Sequence, residues 1–339
     1  MRSMFRLLTS AAILLVITST GAQAVYPGTS WTQRTPAAVG LNVTKLGEFR
    51  TATGNLAGVV VRDGYLVYTW GNPVGKFDWA SSAKPVVSTL LLFAVKEGKL
   101  PSVDARLSAF WNLRSADQTM TFRHLANMTS GYALPENPGP RWGYNDYAIS
   151  LYVKTLFPKV FKQKPDVVAR GTNRLGPLQF QDGAIFGTTR GGYGLYTSPR
   201  DFARIGWFWL NKGNWRGTQL LPVSYFNTFM KTQVPANMPR TAGGPIDDYL
   251  FVGSSGGGTN QDFPGQGRYG FNWWFNPDHV TWPEAPVDTI MTLGHRCKEN
   301  MAIIPRLRLV VAWKGTEAPV GQAFAACNRY LKILVEATQ

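Results

Sequence analysis

Cysteine and histidine are scarce in this chain, which has two cysteines (Cys297 and Cys327) and three histidines in 339 residues. With so few soft ligands and no C-x-x-C spacing, structural zinc and histidine-rich metal centres are poor readings. Also missing is an uninterrupted apolar run of the roughly 20 residues that a membrane-spanning helix needs. No Pro/Ser/Gly linker, charge block or internal repeat divides the chain, and no dense Lys/Arg tract or nucleic-acid motif is present. These absences count against an integral membrane protein, a repeat array and a nucleic-acid binder.

What is present begins with a short leader pattern. Arg2 and Arg6 precede an apolar run, Ala11 to Ile17, and small residues follow, ending in Ala22-Gln23-Ala24. That order is the signature of a signal peptide over residues 1–24, so the sequence predicts an exported chain, periplasmic or extracellular. The remainder, residues 25–339, is expected to form one body of two closely packed lobes. Export places Cys297 and Cys327 where a disulfide persists, and the even count predicts that they pair. The formal charge of +15 falls to +13 without Arg2 and Arg6. The basic residues are scattered, which reads as solvated surface charge suited to anionic surroundings such as envelope polymers.

Runs of β-forming residues, Ala57 to Val61 and Tyr65 to Thr69, flank Arg62-Asp63-Gly64 and predict a hairpin. Pro85 to Val95 is apolar on nearly every side and stops at Gly98, a buried helix with a glycine terminator. Ser198-Pro199 opens a second helix over Phe202 to Leu210. Met301 to Ile304, Pro305 and Leu307 to Trp313 read as strand, turn and strand. The β-runs near both ends are expected to share one sheet, with helical material inserted between them. Segments 158–181 and 235–270, rich in Pro, Gly and Asn, are expected to be loops that carry substrate selectivity.

Ser81-Ser82-Ala83-Lys84 places a hydroxyl and an amine at i and i+3 on one helical face, within hydrogen-bond reach. A buried lysine has a lowered pKa and accepts the serine proton, while the helix N-terminus favours negative charge on Ser81. The bland alternative is a capping serine followed by a solvent-facing lysine. Against it, Lys84 is the lone charge between Trp79-Ala80 and an apolar run. A rival nucleophile is Ser255 in Gly253-Ser254-Ser255-Gly256-Gly257, a G-x-S-x-G elbow with Asp288 and His295 following in triad order. The elbow needs a helix directly after it, which Gly258-Thr259-Asn260-Gln261 and Pro264-Gly265 do not provide.

These residues resemble the serine β-lactamase and penicillin-binding-protein superfamily, and within it the class C β-lactamase-related hydrolases. The resemblance extends along Gly58 to Gly64, Glu97-Gly98-Lys99-Leu100, Arg123-His124-Leu125 with Thr129-Ser130-Gly131, Gly191 to Tyr196 with Arg200-Asp201, and Tyr269 to Trp274. It implies an α+β fold, an antiparallel sheet flanked by helices with an inserted, mostly helical lobe, and a catalytic site between them that uses no cofactor or metal. It further implies a Tyr-x-Asn motif, met here by Tyr144-Asn145-Asp146. Tyr144 takes the place of the family tyrosine, with simple packing beside Trp142 and Tyr147 as the alternative. Asp146 stands where asparagine is usual, and its carboxylate is expected to raise the pKa of Lys84. For the third motif, Lys-Thr-Gly or His-x-Gly on an edge strand, the nearest match is His295-Arg296-Cys297, with Cys297 in place of glycine and Lys298 offering the second oxyanion N–H. His124 and His279 read as structural. The implied activity is acyl transfer on a small ester or amide or on a cell-envelope substrate, esterase- or amidase-like. D-amino-acid peptidase or β-lactamase activity, and a non-catalytic envelope-binding protein, are the alternatives.

Overall fold

The structure is a computed structural model that describes residues 24–338 apart from 191, 255–257 and 259–263. Residues 1–23 of the predicted leader and Ser255, Gly256 and Gly257 of the predicted elbow lie outside the described residues. In chain order the N-terminal part comprises α1 (Val43–Thr53), β1 (Ala57–Arg62), β2 (Tyr65–Gly71), β3 (Phe77–Asp78) and α2 (Lys84–Lys96). The middle comprises α3 (Phe122–Ala126), α4 (Asp146–Thr155), α5 (Pro165–Ala169), β4 (Phe186–Thr189), β5 (Gly192–Thr197), α6 (Pro199–Leu210), β6 (Asn214–Trp215), β7 (Thr218–Gln219) and α7 (Val223–Phe229). The chain ends with β8 (Tyr269–Gly270), β9 (Trp273–Phe275), β10 (Ile290–Met291), β11 (Glu299–Ile304), β12 (Leu309–Lys314) and α8 (Ala323–Glu336).

The two ends of the chain meet in one sheet, ordered β2-β1-β12-β11-β10-β9-β8, whose paired strands are antiparallel. The hairpin forms because Asp63 and Gly64 both take positive φ, 53° and 85°, the two-residue turn that matches strand twist. Glycine is required there on steric grounds as well, since a Cβ would fall 2.0 Å from the Val25 carbonyl oxygen. Alternation along the central strands sorts side chains onto two faces. Val59, Val61, Met301, Ile303, Val310 and Ala312 pack with α2, α6 and the helical lobe of α3 and α4. Val60, Ala302, Ile304, Val311 and Trp313 pack with α1 and α8 on the other side. This is the α+β architecture expected from the sequence.

Helix α2 matches the buried, all-round apolar pattern, and Ser198 caps α6 by accepting the Asp201 N–H at 3.2 Å. Segment 158–181 departs from expectation. It holds a π-helical turn (Leu156–Phe161), α5 and a 3-10 turn (Gly176–Leu178) rather than plain loop. The reason is burial of its few apolar residues, Phe161, Val168, Ala169, Leu175 and Leu178, while Pro165 sits in the first turn of α5, where no N–H is needed. Segment 235–270 is irregular, as expected, over its described residues up to β8.

Cys297 and Cys327 form a disulfide between buried positions, with Cα atoms 5.8 Å apart, joining the entry to β11 with α8. The bridge closes a loop with a sequence separation of 30. Loop-closure entropy assigns such a link about 3 to 4 kcal/mol of stability. Cys297→Ser/Cys327→Ser is therefore expected to lower the unfolding free energy by about that amount, read from the urea midpoint. A midpoint equal to that of the oxidised protein would show that packing alone anchors α8.

Candidate active site

Ser81 does not sit inside α2. It occupies a 3-10 turn, Ala80–Ala83, that runs directly into the helix at Lys84. In a 3-10 turn positions i and i+3 eclipse, so the spacing still brings Lys84 back over Ser81. Lys84 Nζ donates to the Ser81 carbonyl at 2.8 Å and to the Tyr144 hydroxyl, and Tyr144 Oη lies 2.7 Å from Ser81 Oγ. Ser81 is partly exposed, whereas Lys84 and Tyr144 are buried.

The turn is held from several directions. Ala80 has a positive φ of 44°, a conformation that costs a non-glycine residue roughly 1–2 kcal/mol. Asp78 holds it there. Its Oδ1 accepts the Ala80 N–H at 2.8 Å and its Oδ2 accepts the Arg190 N–H at 3.1 Å. Lys314 Nζ donates to the Asp78 carbonyl at 2.6 Å and pairs with Glu299 at 2.9 Å. Trp79, fully buried, donates its N–H to Leu195 and its indole N–H to Thr197 on β5.

Tyr144 arrives from the helical lobe. Trp142 N–H donates to the Pro239 carbonyl, and Gly143 N–H donates to Met128, fixing the approach. Asn145 ends the segment by capping α4: its Oδ1 accepts the Ala148 N–H at 3.1 Å and its Nδ2 donates to the Tyr132 carbonyl at 2.7 Å. Asp146 opens α4, buried, with its N–H on the Gly258 carbonyl.

Burial and charge set the proton affinities. Loss of hydration brings Lys84 down from 10.5 to about 7, against the opposing pull of Asp146. The expectation that Asp146 raises this value is correct in sign, but burial outweighs it. Burial, assisted by Asp146 and Tyr269, also pushes the Tyr144 hydroxyl well above its usual value, so it stays protonated until a base takes its proton. Lys84 is thus the group that changes charge near neutrality, and Tyr144 connects it to Ser81.

The third motif differs from expectation. His295 is not on a strand. It begins a 3-10 turn, His295–Cys297, in which Arg296 and Cys297 have φ of 45° and 60°. The ladder with β11 runs on only as far as Gly294, whose N–H reaches the Glu299 carbonyl at 2.8 Å. Gly294, not Cys297, is therefore the residue of close approach, because a Cβ there would lie 2.1 Å from Glu299 O and 3.0 Å from Ser82 Oγ. The Lys298 N–H is taken up by the His295 carbonyl at 2.9 Å, which removes it as an oxyanion donor. The His295 side chain is 56% exposed, with Nε2 3.3 Å from Glu317, and burial together with Arg296 lowers its pKa. Asp288 pairs with Arg306, so Asp288 and His295 do not form the pair that a Ser255 triad requires. His124 serves the α3 capping box and His279 Nδ1 contacts the Ala285 carbonyl. Among the described residues no group of three or more His, Cys, Asp or Glu is arranged to hold a metal ion.

Sequence reasoning missed Asp78, Thr292, Glu299 and Lys314, which come from separate elements with no common spacing, and gave no role to Ser82 within the Ser81–Lys84 motif.

Activity is expected to rise with pH through a midpoint near 7 as Lys84 loses its proton. Asp146→Asn removes the charge that favours ammonium, so the midpoint moves to lower pH; a shift to higher pH would contradict this account. Tyr144→Phe is expected to lower turnover about 100-fold or more with the fold intact by circular dichroism, as when a positioned proton carrier is lost. Near-normal turnover would return Tyr144 to a packing role.

Comparison with known proteins follows the same lines. The model of the beta-lactamase family matches residues 43–317. No curated protein sequence matches the chain. Among solved structures, a beta-lactamase from Mycobacterium bovis is 17% identical with a TM-score of 0.61, covering 87% of this chain and 100% of its own. The class C beta-lactamase from Rhodobacter sphaeroides is 14% identical with a TM-score of 0.57, covering 87% and 99%. EstCE1, a hydrolase with promiscuous acyltransferase activity, is 12% identical with a TM-score of 0.57, covering 90% and 99%. With its family match spanning β1 to β12 and the sheet assembled from both chain ends, the protein belongs to the beta-lactamase family of serine hydrolases.

Proposed function

We propose that the protein is exported and cleaves an ester or amide through an acyl-enzyme on Ser81. The observation that carries this is the continuous hydrogen-bond chain Ser81–Tyr144–Lys84, ending on a buried amine with a pKa of about 7. With Lys84 neutral, its amine accepts from the Tyr144 hydroxyl. As Ser81 Oγ bonds to the substrate carbonyl carbon and the C=O π pair moves onto oxygen, the Ser81 proton passes to Tyr144 and the Tyr144 proton passes to Lys84. The collapse of the tetrahedral intermediate breaks the bond to the leaving group, which takes the proton back along the same path. Water then repeats the sequence on the acyl ester and frees Ser81.

The developing oxyanion needs two donors, each worth roughly 3 kcal/mol. The Ser81 N–H is one. With Lys298 committed to its own turn, the His295 N–H, next after Gly294, is the second. The segment Gly294-His295-Arg296-Cys297 has no Lys-Thr-Gly, which favours esters and amides over carboxylate-bearing lactams and peptides. Export is supported by the leader pattern of residues 1–24, after which the chain docks at once: the Val25 carbonyl accepts the Trp207 indole N–H at 2.9 Å.

A fluorophosphonate probe is expected to label Ser81, seen by peptide mass spectrometry, with labelling lost in Ser81→Ala. Penicillin labelling with slow release would point to the peptidase or β-lactamase alternative, and no labelling by either probe to a non-catalytic binder. The mass of the secreted protein should correspond to a start at Val25. An intact Met1 terminus would overturn export with cleavage.

A further inference from the structure

Ser82 and Thr292 form a hydroxyl relay between the Ser81 turn and the start of β11. Ser82, the residue after the nucleophile, is fully buried, and its Oγ donates to the Glu299 carbonyl at 2.6 Å. The same oxygen accepts from Thr292 Oγ1 at 2.9 Å. Thr292 Oγ1 in turn accepts the Met301 N–H at 2.9 Å, while the Thr292 N–H donates to the Met301 carbonyl at 3.0 Å. The threonine hydroxyl thus stands where a backbone carbonyl of the β10–β11 ladder would be.

Each hydroxyl has one proton, and in this arrangement both protons are committed, from Thr292 to Ser82 and from Ser82 to Glu299. The relay therefore has one direction and one geometry. It ties three segments together: the Ser81 turn, the end of β10 and the start of β11. Two residues beyond Thr292, Gly294 closes against Ser82 Oγ so tightly that a Cβ there would come within 3.0 Å of it. The turn is also held by Asp78 and Trp79 through β3 and β5, with Lys314 joining the Asp78 carbonyl to the Glu299 carboxylate.

We propose that Ser82 and Thr292 are positioning residues that set the width of the gap between the Ser81 turn and the strand end at Gly294, where the oxyanion is held. This rests on the reading of Ser81 as nucleophile. Loss of either hydroxyl leaves the turn anchored through Asp78 and Trp79 and loosens the gap, so chemistry suffers while the fold and the Lys84 environment remain.

The test measures kcat and KM on p-nitrophenyl acetate, and the rate of fluorophosphonate labelling, for the wild type, Ser82→Ala, Thr292→Val, Thr292→Ser and the Ser82→Ala/Thr292→Val double variant. Ser82→Ala and Thr292→Val are each expected to lower kcat and the labelling rate about 10- to 100-fold with KM nearly unchanged, as for an ångström-scale misplacement. The acid limb should not move, Thr292→Ser should restore most of the rate, and the double variant should be no worse than either single one, since both cut the same relay. Ser82→Ala removes one oxygen and adds none, and it carries the test should Thr292→Val fail to fold. Unchanged rates with only a lower melting temperature, additive losses, or a displaced acid limb would each overturn the proposal. If Ser81→Ala itself keeps wild-type turnover and labelling, the nucleophile assignment fails and this inference with it. Ser81-dependent turnover that ignores both hydroxyls overturns the inference alone.

Discussion

A lysine amine held out of water beside a phenol is the interaction on which the rest of this molecule is organised. Moving Lys84 from 10.5 to about 7 means that its charged form is disfavoured relative to its neutral form by on the order of 5 kcal/mol. The surroundings that impose this are those of α2, buried without a break from Lys84 to Ala94 between the sheet and the helical lobe. The cost has a defined pH signature. The folded chain sheds this proton near pH 7 and the unfolded chain near 10.5, so between those values the unfolded state binds more protons and stability from this group rises with pH.

The same dryness goes with a firmly held Ser81 turn, because the Ser81–Tyr144–Lys84 contacts persist only if its atoms stay in place. The turn is accordingly built against local preference, with Ala80 in the left-handed region, and is over-determined by its neighbours. Asp78 satisfies two N–H groups, and Lys314 bridges the Asp78 carbonyl and Glu299 beneath it. The Lys314–Glu299 pair is largely buried, a placement in which removal of one partner is far more damaging than the pair is stabilising. Its value is geometric: it links β12, β11 and the strand that precedes Ser81.

The sheet supplies the frame for this. Pairing of β1 with β12 closes the chain on itself, and the extension from β10 to Gly294 brings a second backbone segment to the Ser81 turn. Tyr144 reaches the same point from the other lobe, through a segment anchored on Met128, Tyr132 and Pro239. The site is therefore a junction of three pieces from distant parts of the chain, two of them tied together at Glu299, and the fold by itself accommodates many acyl-transfer reactions.

Much of this was legible in the sequence wherever the signal is local. Hydrophobic periodicity marks α2 and α6, Asp63-Gly64 marks the hairpin, and the spacing of Ser81 and Lys84 holds whether the turn is α or 3-10, because i and i+3 meet in both. Tyr144, which a motif singles out, stands within hydrogen-bond reach of Ser81 and Lys84. What the sequence left open are balances and registers between distant segments. Whether burial or Asp146 controls Lys84 depends on how much water surrounds both, which only packing decides. Segment 158–181 looked like loop because its polar residues outnumber the few apolar ones that fold it inward. His295 and Lys298 looked like strand residues because nothing local shows that the β11 ladder stops at Gly294 and that the next residues curl into a turn secured by the Cys297–Cys327 bridge. The residue types and spacing of Ser81, Lys84 and Tyr144 are local and readable, whereas their surroundings come from packing, because Thr292 and Glu299 reach Ser82 from more than 200 residues along the chain.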